Sequence, residues 1–288
     1  MAITTSPASS IPPDENRLRA LIANGVSEIA QELIEIHKLP YIIENGVLKD
    51  SLTGSQLYLK KFITSDIDTL KMKDDVIKLA KCPHEVLITG ETGTGKELIA
   101  RAMIGDREGR FQVVNCAGLP EQLIESELFG HVKGAFTGAE SGSAGMMQKA
   151  VNGVFFMDEI GELPLHVQAK LLRALQDKTV RRVGGKDEEE INCKFVAATH
   201  RDIKQMVTEG KFRQDLYARI STLELHIKPL RDRECDIVPL IMSLPGGKAF
   251  LAELEKQNIA VHKMNLELNV RSIQQAVTRY SVLGRIIL

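Results

Sequence analysis

The sequence predicts an α/β fold: a five-stranded parallel sheet covered by helices on both faces, followed by a small C-terminal helical lid. Three observations predict it. From Glu85 onward short apolar runs alternate with helical patterns, the signature of a parallel sheet. A glycine-rich loop stands between the first run and the helix that follows it. After Pro229 the strand signal stops.

The elements follow in order. Residues 1–14 are rich in Ser, Thr and Pro and offer little to bury, so a loose tail is expected. Residues 15–60 read as an N-terminal helical segment. In it Leu18, Leu21, Ile22, Val26, Ile29, Leu33 and Ile36 recur at helical spacing until Pro40. Such a helix packs on the main domain or on a neighbouring subunit. A turn is expected at Asn45-Gly46 and a helix over 71–80. Residues 61–230 form the α/β core, with strands expected at EVLIT (85–89), FQVVN (111–115), GVFFM (153–157), CKFVAAT (193–199) and STLELHI (221–227). The run LHVQAKLLRALQ (165–176) is a helix between them. Residues 231–288 read only as helices, broken by Pro245-Gly246-Gly247, and form the lid.

Composition narrows the function. A chain of 288 residues with 43% hydrophobic and 26% charged residues can bury a sizeable core. A formal net charge of −1 gives no reason to expect the whole chain to coat nucleic acid or an anionic membrane. The cysteines Cys82, Cys116, Cys193 and Cys235 show no CxxC pair, so neither a zinc site nor a redox dithiol is suggested, and buried reduced thiols are expected. No apolar run approaches the roughly 18 residues a spanning helix needs, and the N-terminus lacks signal-peptide order. A cytoplasmic protein without membrane contact is the expectation.

The loop Gly90-Glu91-Thr92-Gly93-Thr94-Gly95-Lys96-Glu97 has the strand, glycine loop and helix order of a phosphate-binding loop. Its backbone N–H groups form an anion nest, the helix N-terminus adds positive dipole, and Lys96 reaches the β- and γ-phosphates. Glu97 stands where a Ser or Thr hydroxyl normally touches magnesium. Downstream, the strand ending at Met157 delivers Asp158 and Glu159. On its own such a pair is an ordinary surface turn. After a phosphate loop, Asp158 is positioned to hold Mg²⁺ and Glu159 to polarise the water that attacks the γ-phosphate of ATP. Thr199 and His200, closing CKFVAAT, are placed to sense that phosphate, with a strand-end cap as the competing account for Thr199.

At this point the residues carry a likeness. The stretch 127–139 contains Gly134-Ala135-Phe136-Thr137-Gly138-Ala139, and the ordered set GETGTGKE, VNCAGL, FFMDEIGELP, VQAKLLRALQ, RRVGG, FRQDLYARI and PLRDRECDI runs from about 85 to 237. This resembles the AAA+ P-loop ATPase domain of bacterial sigma-54-dependent transcription activators. The resemblance implies ATP and Mg²⁺ as cofactors, sigma-54 and RNA polymerase as partners, and a homo-oligomeric, hexameric ring. It implies that GAFTGA contacts sigma-54, with glycines giving a mobile loop and Phe136 a binding anchor; a packed Phe in a tight turn is the alternative. It implies that Asn115 restrains Glu159, that Arg213 and Arg219 are arginine fingers acting on a neighbour's nucleotide, and that Arg271 is the lid's nucleotide sensor.

The chain also departs from the family pattern. Val132 replaces a usual Glu, His200 a usual Asn, Leu266-Glu267-Leu268 a usual Trp-Pro-Gly, and Ser272 a usual Glu. The sequence stops at Leu288, where the family usually continues into a DNA-binding helix-turn-helix, so no DNA-binding domain is expected. Two other functions compete with the ATP-driven activator: an ATPase-impaired member that co-assembles with other activators and regulates them, and a remodeller of a different substrate.

Overall fold

A computed structural model describes residues 54–287 and, before them, residues 18, 20, 21, 23, 25, 27–36, 41–44 and 47–50. The tail expected over 1–14 lies outside the described residues. The chain divides into two compact units, 1–53 and 54–288.

In the first unit, helix α1 (Ser27–Ile36) is followed by two antiparallel strands, β1 (Tyr41–Glu44) and β2 (Val47–Asp50). The helical expectation for 15–60 is thus corrected. Ile42 and Ile43, flanking Asn45-Gly46, favour a strand where helical spacing is lost. Gly25 takes φ 75°, a left-handed conformation that no continuous helix holds. Leu18, Ala30 and Ile34 form a small core of their own.

The second unit opens with α2 (Gly54–Lys61), also assigned by sequence to the N-terminal segment, and α3 (Ile67–Lys81). Helix α3 starts four residues before the expected position because Asp66 caps it, accepting from Thr69 N at 2.8 Å and from the Thr69 hydroxyl at 2.7 Å. Then come β3 (Val86–Thr89), α4 (Lys96–Ala102), β4 (Phe111–Asn115), α5 (Glu121–Phe129), α6 (Met146–Lys149), β5 (Val154–Asp158), α7 (Leu165–Asp177), β6 (Thr179–Arg181), β7 (Glu188–Glu190), β8 (Lys194–Thr199), α8 (Ile203–Thr208), α9 (Gln214–Ile220) and β9 (Glu224–His226). All five expected sheet strands are present. They form one parallel sheet in the order β4-β5-β8-β3-β9. The β6–β7 hairpin is an element the sequence did not announce, because Thr-Val-Arg and Glu-Glu-Glu carry no apolar strand signal.

Burial follows the two-residue period of the strands. Leu87, Phe155, Met157, Phe195 and Ala197 point into one core with Leu128, Leu171 and Leu216. Val86, Ile88, Val154, Phe156, Val196 and Ala198 point into the other, with Val76, Ile99 and Met103. Central strands buried on both faces require near-continuous apolar runs, which is why they were readable. The lid, α10 (Ile237–Ser243), α11 (Gly247–Lys256) and α12 (Val270–Leu283), has a third core built on Leu230, Ile241, Phe250, Ile273 and Val277.

Candidate nucleotide site

The strand order sets β3 between β8 and β9, and β8 between β3 and β5. The carboxyl ends of β3, β5 and β8 therefore open side by side, which is where open α/β sheets receive ligands. A cleft of about 450 Å³ lies there, walled by the phosphate loop, by Phe62 and Ile63, and by Arg271 and Gln274 of the lid.

The phosphate loop turns through Gly90, Gly93 and Gly95 at φ 151°, 79° and 105°. The turn is crowded as well as left-handed: a Cβ on Gly93 would lie 2.1 Å from the Leu268 carbonyl oxygen, and one on Gly95 2.7 Å from the Phe62 ring. Lys96 is buried at the start of α4 and donates to the carbonyl oxygens of Gly90 (2.8 Å) and Glu91 (3.1 Å). Burial pulls its ammonium below the usual lysine range, opposed by Glu159 and Asp158. Glu97, which raised the magnesium question, pairs along the helix with Arg101 at 2.7 Å, and Arg101 stacks on Phe111.

Asp158 and Glu159 close β5 within reach of Lys96. Burial raises the Asp158 carboxyl above its ordinary value, and the neighbouring Glu159 charge adds to this. A cavity that destabilises the carboxylate in this way suits a divalent cation. Glu159 adopts φ 54°, ψ 51°, a left-handed backbone rare outside glycine and found at functional sites. Its Oε1 lies 3.9 Å from Lys96 Nζ. Its Oε2 accepts from His200 N at 3.2 Å and lies 2.6 Å from His200 Nδ1. His200, read from sequence as a phosphate sensor, thus engages the carboxylate itself. Thr199 is fully buried, and its hydroxyl oxygen accepts from Arg201 N at 3.0 Å, which shapes the turn presenting His200. Asn115 sits opposite Asp158 in the strand register. Its Oδ1 accepts from Ala117 N at 3.0 Å and caps a short 3₁₀ turn.

The two expected fingers differ. Arg213 is exposed at the start of α9, its guanidinium paired with Asp215 at 2.6 Å and its backbone N donating to Gln168 Oε1 at 2.8 Å. Arg219 is tied inside its own subunit, donating to Glu85 (3.2 Å) and to the Leu175 carbonyl (3.2 Å), with its Nε buried. Glu85 is buried and also binds Lys178 at 2.9 Å, at the opposite end of β3 from the phosphate loop. Arg271 lines the same cleft as Lys96 and Asp158.

The GAFTGA segment forms a compact surface loop. Gly134 N donates to the Ala139 carbonyl (2.9 Å) and Ala139 N to the Phe136 carbonyl (3.0 Å). Phe136 is 39% exposed and rests against the His131 ring at 5.1 Å, while Thr137 and Gly138 are exposed. The base of this loop is stitched to the β6–β7 hairpin: Val132 N donates to the Val183 carbonyl (3.1 Å) and Val183 N to the Gly130 carbonyl (2.9 Å).

Among residues without a sequence-assigned role, the structure singles out Arg231, Arg233, Asp236 and Asn269. Arg233 and Asp236 form a buried pair at 2.9 Å. Asp236 also accepts from Ser65 N and the Thr64 hydroxyl, and Arg233 lies 5.4 Å over the Phe62 ring. The PLRDRECDI motif held this pair at i, i+3, but spacing alone does not separate a buried pair from a solvated one. Of the cysteines, Cys116 is buried, with its thiol pushed well up by burial; Cys193 is half-buried and pushed up to about 11. Cys235 is exposed, against the expectation of buried thiols.

Comparison with known proteins agrees with this geometry. The model of the sigma-54 interaction domain matches residues 62–226. The regulatory protein AtoC of Escherichia coli K12 is 43% identical over 221 residues, 73% of this chain and 48% of AtoC. The anaerobic nitric oxide reductase transcription regulator NorR of Klebsiella pneumoniae is 44% identical over 227 residues, 75% of this chain and 44% of NorR. The chain spans about half the length of these relatives. Among solved structures, NtrX from Brucella abortus in complex with ATP superposes with a TM-score of 0.64 at 26% identity, over 95% of this chain and 57% of NtrX. With most of its α/β core matched and its phosphate loop, acidic strand end and helical lid in AAA+ order, the chain belongs to the sigma-54 interaction domain family, the AAA+ module of sigma-54-dependent transcriptional activators.

Proposed function

We propose that this chain binds and hydrolyses ATP with Mg²⁺, and that it uses the cycle to remodel the sigma-54 RNA polymerase complex through its GAFTGA loop. The observation that carries the reading is the convergence of Lys96, Asp158 and Glu159 on one cleft, in a chain whose Phe136 loop is presented on the surface. The phosphate loop and Lys96 hold the phosphates. Asp158 contributes one carboxylate to the cation, which draws its other ligands from phosphate and water. Glu159 polarises the attacking water. The exposed Arg213 reaches a neighbouring subunit's nucleotide in a head-to-tail ring, a hexamer in this reading. Arg219, held by Glu85 and Leu175, acts by bracing α9.

A second reading, an ATPase-impaired member that regulates other activators, draws on His200 occupying the Glu159 carboxylate. ATPase rate against protein concentration, with and without sigma-54, separates the two. Cooperative turnover that is lost in Arg213→Ala, with sigma-54 captured in the presence of a transition-state analogue, supports the remodeller. Flat, negligible turnover at every concentration overturns it in favour of the regulator.

A further inference from the structure

The phosphate loop of this chain is held from behind by its lid. Three consecutive loop carbonyls accept hydrogen bonds from the lid side: Thr92 O from Asn269 Nδ2 (3.0 Å), Gly93 O from Val270 N (3.1 Å), and Thr94 O from Arg233 Nη2 (3.1 Å). In a peptide unit the carbonyl and the following N–H point in opposite directions. Drawing the carbonyls of Thr92 and Thr94 outward therefore turns the N–H groups of Gly93 and Gly95 toward the cleft, the orientation an anion nest requires, while Thr94 N donates within the loop to the Glu91 carbonyl (3.4 Å).

Asn269 is the centre of this arrangement. It is fully buried and takes φ 53°, ψ −126° just before α12, a conformation costly for a residue with a side chain. Its Oδ1 accepts from Leu230 N (2.6 Å), where the chain enters the lid, and its Nδ2 also donates to Glu91 Oε2 (3.2 Å). Arg231 completes the clamp with a two-pronged ion pair to Glu91, at 2.8 and 2.7 Å. One side chain thus joins the start of the lid and the start of its last helix to the loop that receives phosphate, and it does so without lining the cleft.

We propose that Asn269, seconded by Arg231, is a positioning residue for phosphate binding: it preorganises the phosphate loop and couples its occupancy to the docking of the lid. Coupling of this kind is reciprocal, so a bound phosphate group tightens the lid hinge as the hinge tightens phosphate binding. The inference rests on the nucleotide-binding part of the function proposed above, and the test separates the two.

Amide hydrogen exchange is measured on the full chain, without nucleotide and with ADP, for wild type, Asn269→Ala and Arg231→Ala. In Asn269→Ala without nucleotide, exchange of peptides covering 91–97 rises by about tenfold, the loss of one buried hydrogen bond, while core strand β5 is unchanged. In wild type, ADP slows exchange both at 91–97 and at the hinge 266–272. In both variants ADP binds about tenfold more weakly or worse, and slowing at the hinge is lost. Because Asn269 is buried, its replacement could lower stability as a whole; Arg231 is exposed, so its variant separates lost positioning from lost folding. Unchanged exchange at 91–97 in nucleotide-free Asn269→Ala overturns the proposal. So does wild-type ADP affinity in both variants. A wild type that binds no ADP overturns the functional reading instead, and the nucleotide-free exchange still decides the role of Asn269.

Discussion

Replacing Asp236 by Asn removes the carboxylate paired with Arg233 at 2.9 Å, in a pair whose side chains are 1% and 0% exposed. The amide keeps the size of the carboxylate. What changes is that a guanidinium out of contact with water loses its counter-charge, and the acceptor for Ser65 N and the Thr64 hydroxyl is weakened. Breaking a buried ion pair from one side costs about 3–5 kcal/mol. In a unit of this size 1 kcal/mol moves the midpoint by roughly 2–4 °C, so a fall of about 6–20 °C is expected. Thermal unfolding followed by circular dichroism measures it. The pair also joins residues 64–65, next to Phe62 and Ile63 of the cleft wall, to the lid, so the loss should appear first as faster exchange in 62–66 and 237–243. The double replacement Arg233→Met with Asp236→Leu should recover at least half of the lost stability, since an apolar pair of similar volume carries no desolvation cost. A midpoint within about 2 °C of wild type in Asp236→Asn, roughly 1 kcal/mol or less, would refute the buried-charge argument.

Other predictions follow from the site. Asp158→Asn should stabilise the nucleotide-free protein at neutral pH, because burial holds the Asp158 carboxyl above its ordinary 3.8. The folded state then binds the proton more tightly than the unfolded one, so wild-type stability falls as pH rises through that window; the gain in the variant should vanish below about pH 4 in a series of thermal melts. His200→Ala should lower kcat for ATP about tenfold or more with little change in KM, since one charge-assisted hydrogen bond is worth about 1.5–3 kcal/mol. His200→Asn should restore part of the loss, because its Nδ2 occupies the place of the imidazole Nδ1. Equal losses in kcat and affinity would count against it. Phe136→Ala should change stability by less than about 1 kcal/mol, as expected for a side chain in partial contact with one neighbour, and should abolish capture of sigma-54 by the nucleotide-loaded protein. A large fall in the melting midpoint would mark Phe136 as a packing residue instead.

How far the sequence could be read depended on which physical signal each element carries. The central strands are buried on both faces, so GVFFM and CKFVAAT stand out as apolar runs, and their ends fixed where Asp158, Glu159 and Thr199 would lie. In the β6–β7 strands Val180 alone is buried, so no apolar run marks them. Charge pairing rather than periodicity holds Arg181 to Glu188 across the second hairpin. The loop glycines were legible because few other residues fit their backbone. The partner of each polar side chain was not. His200 turns to Glu159, Arg219 turns inward to Glu85, and Asn269 reaches Thr92 across 177 residues of chain. Contacts of this separation are decided by the tertiary fold.

The stitching of the GAFTGA loop to the β6–β7 hairpin bears on how a signal could leave the cleft. Glu159 leads through a short turn into α7, a 13-residue helix about 20 Å long, whose far end passes directly into β6. The hairpin that begins there grips the loop base through Val132 and Val183. The Glu159 carboxylate, helix, hairpin and loop are therefore links of one linkage, each joined to the next by the chain itself or by main-chain hydrogen bonds. A tilt of a few degrees at the nucleotide end of such a rod displaces its far end by an ångström or more, and the hairpin and Phe136 travel together.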